Sequence, residues 1–549
     1  MSEKNCNLCF IRQFAPAPAR GRSVYDEPPY ENGVEKPPMG WSSWNCFRNN
    51  IDEEKIEAIA DALVKTGLAD VGYKFVNLDD NWHSSMRDEN GCLQGDFGRF
   101  PHGIKTLIER INAKGLKVGL YSSNGTLTCE DLPGGFGNEK RDADTIAEWG
   151  AEFFKYDFCH HHPYSQKAPL VCAIELINTS DPSEKITVKG EEGTLGGKAT
   201  IVKDETVPTG SYVKGLDKNG GILVLENVVA PTDGEYALTV VTKKKGEYEK
   251  FLAVEVNDEY PVLLTVPSCK KFNFTARVQC KVNLKKGNNV IKLYNPLTCR
   301  TDGYVFQYRN MGKLLKAATE RVAKETQKEE KPITFSICEW GWNRPWKWGK
   351  TAGNQWRTTP DIRPWWWWMN LIYERTVRLY KYAGKGHYND PDMLEVGNGK
   401  LTYEENKSHF TLWCMMNSPL ILGNDLRKFL KEDGTVDEEN PVLKILKNEK
   451  MIAVNQDGKG KQCKRVKTGR VNILIKPLEE GVAVCFFNRC GGKKTVKADV
   501  TKYCGDEYLE FVKKETYAAE DLWTGETFDT AGTLTPALPP HGVAVYLLK

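Results

Sequence analysis

The octapeptide Glu152-Phe-Phe-Lys-Tyr-Asp-Phe-Cys159 holds the first residues suited to chemistry. It is a short, aromatic-rich apolar run bounded by turn residues, the pattern of a buried strand. Lys155 and Asp157 stand two apart at its C-terminal end, so a strand presents both on one face. An ammonium beside a carboxylate keeps the carboxylate ionised, as a nucleophile requires. The plainer alternative is a surface ion pair at a strand end. A second basic and acidic pair, Arg357 and Asp361, stands in the separate run Gln355–Ile362 and offers a carboxyl that can give and take a proton.

Such pairs need rigid elements to hold them, and the surrounding text supplies a regular alternation. Asp52 is a good N-cap for a helix with Ile56, Ile59, Ala60, Leu63 and Val64 on one side, and Ile51 with Ile56 would form a hydrophobic staple. A strand pattern, Tyr73–Leu78, follows and ends in Asp79-Asp80. A helix containing Ile104, Leu107, Ile108 and Ile111 leads to the strand Leu116–Tyr121, and a helix over 142–149 leads to the strand with Asp157. After a long interruption come a helix near 311–322 and strand patterns at Ile333–Trp340, Gln355–Ile362, Gly386–Met393 and Pro419–Asp425. With Met39–Trp44 as the first, eight strands alternate with helices and predict an α/β fold, a (β/α)8 TIM barrel. Acidic or aromatic residues fall at the strand ends: Trp44, Asp79, Asp80, Tyr121, Asp157, Glu339, Asp361 and Asp392. In such a barrel those ends converge on one pocket.

The predicted organisation is a tail over residues 1–36, a barrel over 37–165 and 304–451, an inserted β-sandwich over 166–303, and a C-terminal antiparallel β-sandwich over 452–549. Short alternating runs such as Gly221–Glu226, Glu235–Val240 and Phe251–Val256 mark the insert; Gly481–Phe487 and Gly542–Leu548 mark the C-terminal sheets. A net charge of +3 with no basic stripe is too small to suggest a nucleic-acid partner, and none is expected. No apolar stretch reaches the roughly 20 residues that span a bilayer, so no membrane partner is expected. The first ten residues lack a basic-then-apolar leader, which places the chain as given in the cytoplasm, or outside the cell if its start is processed or engineered. Nothing in the sequence specifies an oligomeric state. Sixteen cysteines among 549 residues are too few for a disulfide scaffold. Cys6 and Cys9 have no second pair at zinc spacing and are read as free thiols.

Two carboxylates facing one another across a pocket can cleave a glycosidic bond, one attacking or activating water and the other protonating the leaving oxygen. Met39-Gly-Trp-Ser-Ser-Trp44, Leu78-Asp-Asp80, Lys155-Tyr-Asp-Phe-Cys159, Cys338-Glu-Trp340, Trp356-Arg-Thr-Thr-Pro-Asp361 and Asn389-Asp-Pro-Asp-Met393 together resemble glycoside hydrolase family 27, the α-galactosidases and their relatives. Val454-Asn-Gln-Asp457 and Leu522-Trp-Thr-Gly525 extend the resemblance toward the C-terminus. It implies an exo-acting retaining glycosidase that acts on α-galactoside oligosaccharides or glycoconjugates and requires no cofactor. Asp157 would be the nucleophile and Asp361 the acid/base, with carboxyls about 5–5.5 Å apart. Trp44 would pack on the sugar, and Asp79 and Asp80 would hold its O4 and O6 hydroxyls. Lys155 and Arg357 would reach the O3 and O2 region and Asp392 would bind O2. Cys338 and Trp340 would shape the O2 side, and Tyr121 would line the floor. Bulky Trp340 would exclude a 2-acetamido group, and intact Asp80 favours galactose over a pentose. Sibling specificities, α-N-acetylgalactosaminidase or β-L-arabinopyranosidase, are the near alternatives; a non-catalytic galactose-binding protein is the distant one. The resemblance also implies a Cys129–Cys159 disulfide beside the nucleophile.

Some positions depart from the family's pattern. Asn81 stands where a cysteine is frequent. The run Trp365-Trp-Trp-Trp368 suits helix positions packed on a barrel, with a subsite for the leaving group as the second reading. His160-His-His162 reads as a loop cluster at the pocket rim, and no metal is expected there. In the insert, Gly234–Val240, Val254–Asn257 and Lys286–Leu293 resemble carbohydrate-binding β-sandwich modules of the family 6 and 35 type. Those modules hold a structural calcium near an early Glu-x-Glu. Here Lys189-Gly-Glu191 stands in that place, leaving a sugar- or calcium-binding module and a structural cover as alternatives.

Overall fold

The computed structural model describes residues 27–244, 249–259, 261–266 and 274–549. Most of the expected tail, with Cys6 and Cys9, lies outside the described residues. The predicted strands appear as β1 (Met39–Ser42), β2 (Phe75–Asn77), β3 (Lys117–Ser123), β4 (Phe153–Asp157), β5 (Thr334–Cys338), β6 (Gln355–Arg357), β7 (Tyr388–Asp390) and β8 (Leu420–Leu422). They pair in parallel in the order β7-β6-β5-β4-β3-β2-β1-β8. Beyond β7, Leu394 pairs in parallel with Leu422; its N–H donates to the Ile421 carbonyl at 2.7 Å and its carbonyl accepts from Gly423 N–H at 2.9 Å. The sheet thereby closes into a barrel, as the alternation predicts. Most strands stop short of the predicted runs. Pro360 and Pro391 have no N–H to give to a ladder, so the chain leaves the sheet before Asp361 and Asp392.

Helix α1 (Glu53–Lys65) starts as expected: the Asp52 side chain accepts Lys55 N–H at 2.9 Å, and Ile51 and Ile56 are buried together at its entry. Helix α2 (Ile104–Asn112) buries Ile104, Leu107, Ile108 and Ile111. Helix α3 (Glu139–Trp149) stops at Gly150, whose φ of 82° needs no Cβ penalty. Helix α4 (Arg300–Thr326) outruns its predicted range, and only single turns at Pro345–Lys347 and Gly349–Thr351 separate β5 from β6. Helices α5 (Trp366–Thr376) and α6 (Tyr403–Met415) complete the ring. Helix α6 is buried over nearly its whole length, so no one-sided apolar stripe announces it; its signal is the Thr402/Glu405 capping box.

Residues Pro163–Gln307 belong to a second compact unit. Five strands form one antiparallel sheet and six the other, with Val171, Ile174, Leu223, Leu225, Leu238, Leu252 and Ile291 in the core between them. In this unit Glu191 accepts from Lys203 Nζ at 2.6 Å and Ser211 Oγ at 2.7 Å.

The C-terminal six-stranded antiparallel sheet runs Lys464–Lys467, Val471–Pro477, Val482–Asn488, Val543–Leu548, Tyr517–Asp521, Thr527–Thr530. It packs in one unit with the barrel. Trp366 stacks on His541 at 4.5 Å, Ser408 Oγ donates to the His541 carbonyl at 2.5 Å, and Trp523 Nε1 donates to Thr411 Oγ1 at 3.2 Å. The Val454–Asp457 and Leu522–Gly525 motifs serve this junction: Asn455 Nδ2 donates to the Ser418 carbonyl at 2.9 Å, and Asn448 Nδ2 to the Leu522 carbonyl at 3.2 Å.

Candidate active site

Alternation along β4 puts Lys155 and Asp157 on the inner face, as predicted. The Lys155 ammonium lies 2.8 Å from Asp79 Oδ2, 3.9 Å from Asp157 Oδ2 and 5.1 Å from the centre of the Tyr121 ring. Asp79 is therefore its nearer partner, a pairing that the text of β4 alone does not contain. Arg357, ending β6, takes the corresponding place on another wall. Its Nη2 lies 2.9 Å from Asp361 Oδ1 and 2.8 Å from Asp392 Oδ2, and its Nη1 donates to Cys338 Sγ at 3.6 Å. One buried cation, Arg357, and one partly buried cation, Lys155, thus serve four carboxylates. A buried ion left without its partner costs several kcal/mol, about 3–5 kcal/mol for a broken pair, so this sharing makes each cation structurally as well as chemically necessary.

Among the described residues Asp80 has no lysine or arginine paired with it. It accepts the N–H of Asn81 at 2.8 Å and of Glu130 at 2.9 Å, yet burial pushes its carboxyl up to about 7. Neighbouring His83, 3.9 Å away, is itself held neutral by burial. Asp157 is pushed up to about 6, first by burial; Lys155 opposes this most strongly and Phe158 N–H, 2.8 Å from Oδ1, also opposes it, while the charges of Asp361 and Asp79 add to it. Burial raises Asp392 too, against Arg357. Asp392 sits at φ 81°, a left-handed conformation rare for a side-chain-bearing residue, fixed by the N–H groups of Ile362 and Met393, each 2.8 Å from its carboxylate.

The two candidate catalytic carboxylates differ in depth. The Asp157 side chain is 8% exposed and that of Asp361 41%. Trp44, Asp79, Asp80, Tyr121, Lys155, Trp340, Arg357 and Asp392 line the same pocket, of about 860 Å³ with its mouth. Cys338 stands behind Arg357 rather than in the lining. Cys129 and Cys159 are joined as a disulfide, and Cys129 reaches the pocket edge. Gly125 makes room for that loop, since a Cβ there would lie 2.2 Å from the Cys159 carbonyl oxygen.

Glu339 does not join the ring of strand-end residues. Ser336 faces the barrel interior, so the period of two turns Glu339 outward. It is fully buried there, accepting from Asn343 N–H at 3.0 Å and Nδ2 at 2.9 Å, and burial pushes it up to about 8. Asn45, Arg48, Glu130, Ile362, Arg363 and Met393 also line the pocket. Asn45 rides on the short helix Ser43–Phe47 directly after the first motif, and Arg48 follows as that helix's C-terminal cap; their place just beyond the motif is the one signal for them in the sequence. The three loop histidines do not converge: His160 pairs with Asp131 at 3.1 Å, His161 stacks on Phe158 at 4.0 Å, and His162 meets Phe136 edge-on. Among the described residues the one group of three potential metal donors is Cys129, Cys159 and Asp157, and its two sulfurs are bonded to each other.

This geometry agrees with comparisons across known proteins. A profile described as alpha galactosidase A matches residues 36–176 and 302–457, breaking across most of the inserted strands. One described as the alpha galactosidase C-terminal beta sandwich domain matches 468–548. The chain is 31% identical over 537 residues to alpha-galactosidase A of Cellvibrio japonicus, covering 95% of this chain and 93% of that protein. It is 30% identical over 523 residues to the alpha-galactosidase of Cyamopsis tetragonoloba, covering 94% and 87%. Its fold is similar to that of alpha-galactosidase I from Mortierella vinacea, with a TM-score of 0.63 at 23% identity over 94% of this chain and 98% of the other. Motifs, barrel and relatives agree, and the chain belongs to the α-galactosidase family of glycoside hydrolases, family 27.

Proposed function

We propose that this chain removes terminal α-linked galactose from oligosaccharides or glycoconjugates by double displacement, with Asp157 as nucleophile and Asp361 as acid/base. The observation that carries the assignment is the difference in depth between the two carboxylates in one pocket. A terminal sugar enters toward buried Asp157, while the leaving group stays at the mouth beside half-exposed Asp361. An Asp157 oxygen attacks C1 as the C1–O bond breaks, and Asp361 gives its proton to the departing oxygen. Asp361 then takes a proton from water, whose oxygen attacks C1 and releases Asp157, with net retention. Asp79 and Asp80 accept from O4 and O6, Trp44 packs on the ring, Tyr121 closes the floor, and Lys155, Arg357 and Asp392 serve the O3 and O2 side. Trp340, at φ 56° and edge-on to Phe158 at 5.9 Å, bounds that side with Cys338 behind Arg357. A sugar lacking a hydroxyl opposite Asp79 or Asp80 leaves a buried polar group unpaired, which discriminates strongly.

The test is hydrolysis of nitrophenyl α-galactoside, α-N-acetylgalactosaminide and β-L-arabinopyranoside side by side. The α-galactoside should dominate by about 100-fold or more, as expected when the rival either clashes or leaves buried polar groups unpaired. Dominance of either rival would overturn the reading of Trp340 and Asp80. A second expectation concerns pH. Asp157 must be ionised to attack, so kcat/KM should fall below a pKa near 6. In Lys155→Met the ammonium that favours the carboxylate is gone, and the acidic limb should move up by about one unit or more, with lower activity throughout. A pH–rate profile whose acidic limb stays in place would mean that another group sets it.

A further inference from the structure

The tetratryptophan run divides in the structure. Trp366 packs inward against His541 and Phe487, and Trp368 donates from Nε1 to the Asp361 carbonyl at 2.7 Å. Trp365 and Trp367 do neither. They are 53% and 61% exposed and lie nearly parallel, ring centres 5.8 Å apart and planes inclined by 21°. Two large indoles kept in water on a helix start are costly to solubility and contribute little to the core.

Their position gives them an occupant. Asp361, Ile362 and Arg363 line the catalytic pocket, and the next residues, Pro364 to Trp367, line an open groove with Lys400, Leu401 and Glu405. One chain segment runs from the lining of the first to the lining of the second. Four residues of backbone reach at most about 14 Å, so Trp365 lies within an oligosaccharide's span of the half-exposed carboxylate at the mouth. The Trp368 bond to the Asp361 carbonyl ties the indole-bearing turn to the acid/base loop itself. Flat indole faces suit the apolar faces of pyranose rings, and Lys400 offers a donor to hydroxyls at the rim.

We propose that Trp365 and Trp367 form a stacking platform for the leaving-group side of the substrate, and that the preferred substrates are α-galactosides carried on a chain of at least two further sugars. This rests on the hydrolase reading above but is separable from it. The experiment compares wild type, Trp365→Ala, Trp367→Ala and the double variant on two substrates: nitrophenyl α-galactoside, which ends at the pocket mouth, and an α-galactosylated oligosaccharide with several sugars beyond the scissile bond. Both indoles are exposed, so the variants should keep wild-type Tm. The expected result is a loss of kcat/KM on the oligosaccharide of about tenfold per ring, equivalent to about 1.4 kcal/mol each, with the nitrophenyl substrate unchanged within about twofold. An unchanged ratio between the two substrates in the double variant overturns the platform while leaving the hydrolase reading intact. Wild type that is a dimer by light scattering, becoming a monomer in the double variant without change in that ratio, also overturns it and assigns the indoles to a protein contact. Failure of wild type on both substrates defeats the hydrolase reading instead. The platform is then decided by titration with the oligosaccharide, and equal affinity with and without the two rings overturns it.

Discussion

Asp157→Asn is expected to abolish hydrolysis of every α-galactoside, by at least about 10⁴-fold in kcat, while galactose still binds within a few-fold of wild type. An amide cannot form the ester to C1, so no leaving-group activation rescues the first step. Binding survives because the hydroxyl-facing groups are held independently of Asp157. Lys155 retains Asp79 at 2.8 Å, and Arg357 retains Asp361 and Asp392. The fold should not suffer either. Asp157 has its carboxyl pushed up to about 6, above an ordinary carboxylate, so ionising it costs the folded state. That cost is present above pH 6, fades as the pH falls toward 4, and is absent from the amide at every pH. The variant should therefore melt at or above the wild-type Tm at pH 7 and lose that advantage near pH 4. Calorimetry beside a turnover assay checks both halves. Residual hydrolysis above about one per cent, with the protein folded, would move the nucleophile elsewhere.

Why the sequence reveals Asp157 so readily, and other parts of the site less so, has a physical basis. Strand periodicity and helix caps are local, so β4, the Asp52 cap and the Gly150 stop are readable from a few neighbours. Helix α6 has no one-sided stripe because barrel and C-terminal sheet bury it from both sides. The inserted strands were legible as alternating runs. Glu339 shows the opposite failure: its place at a strand end groups it with the pocket residues, whereas the phase set by Ser336 excludes it. Side-chain pairings across strands were the least legible. Lys155 reads as the partner of Asp157, two residues away, but its shorter contact is to Asp79, a neighbour only once β2, β3 and β4 lie side by side. Likewise Arg357 reads with Asp361, and only the barrel brings Asp392 to the same nitrogen. The four tryptophans carry one letter and three environments, because the first turn of a helix points successive side chains in different directions.

Asp361→Asn should separate substrates by their leaving groups. The amide cannot protonate a departing alcohol, so oligosaccharide cleavage should fall by about 10³–10⁴-fold, within the range of general acid catalysis. A nitrophenolate needs little protonation, and formation of the glycosyl–enzyme from nitrophenyl α-galactoside should be nearly preserved. The second step still lacks its base, so that intermediate should accumulate. Stopped-flow traces would then show a burst of nitrophenol approaching one equivalent of enzyme, followed by slow turnover that is absent from wild type. Removing the charge leaves Arg357 paired with Asp392 at 2.8 Å, so the guanidinium is not stranded and the pocket should stay intact. The basic limb of the pH–rate profile should flatten for the first step, since no proton is then required. A loss that is equal for both leaving groups, with no burst, would instead describe a residue that shapes the pocket. Because Asp361 shares one nitrogen of Arg357 with Asp392, Asp392→Asn is the control: it alters the same cation, and if the leaving-group dependence belongs to proton transfer at Asp361 rather than to Arg357, it should slow both substrates alike.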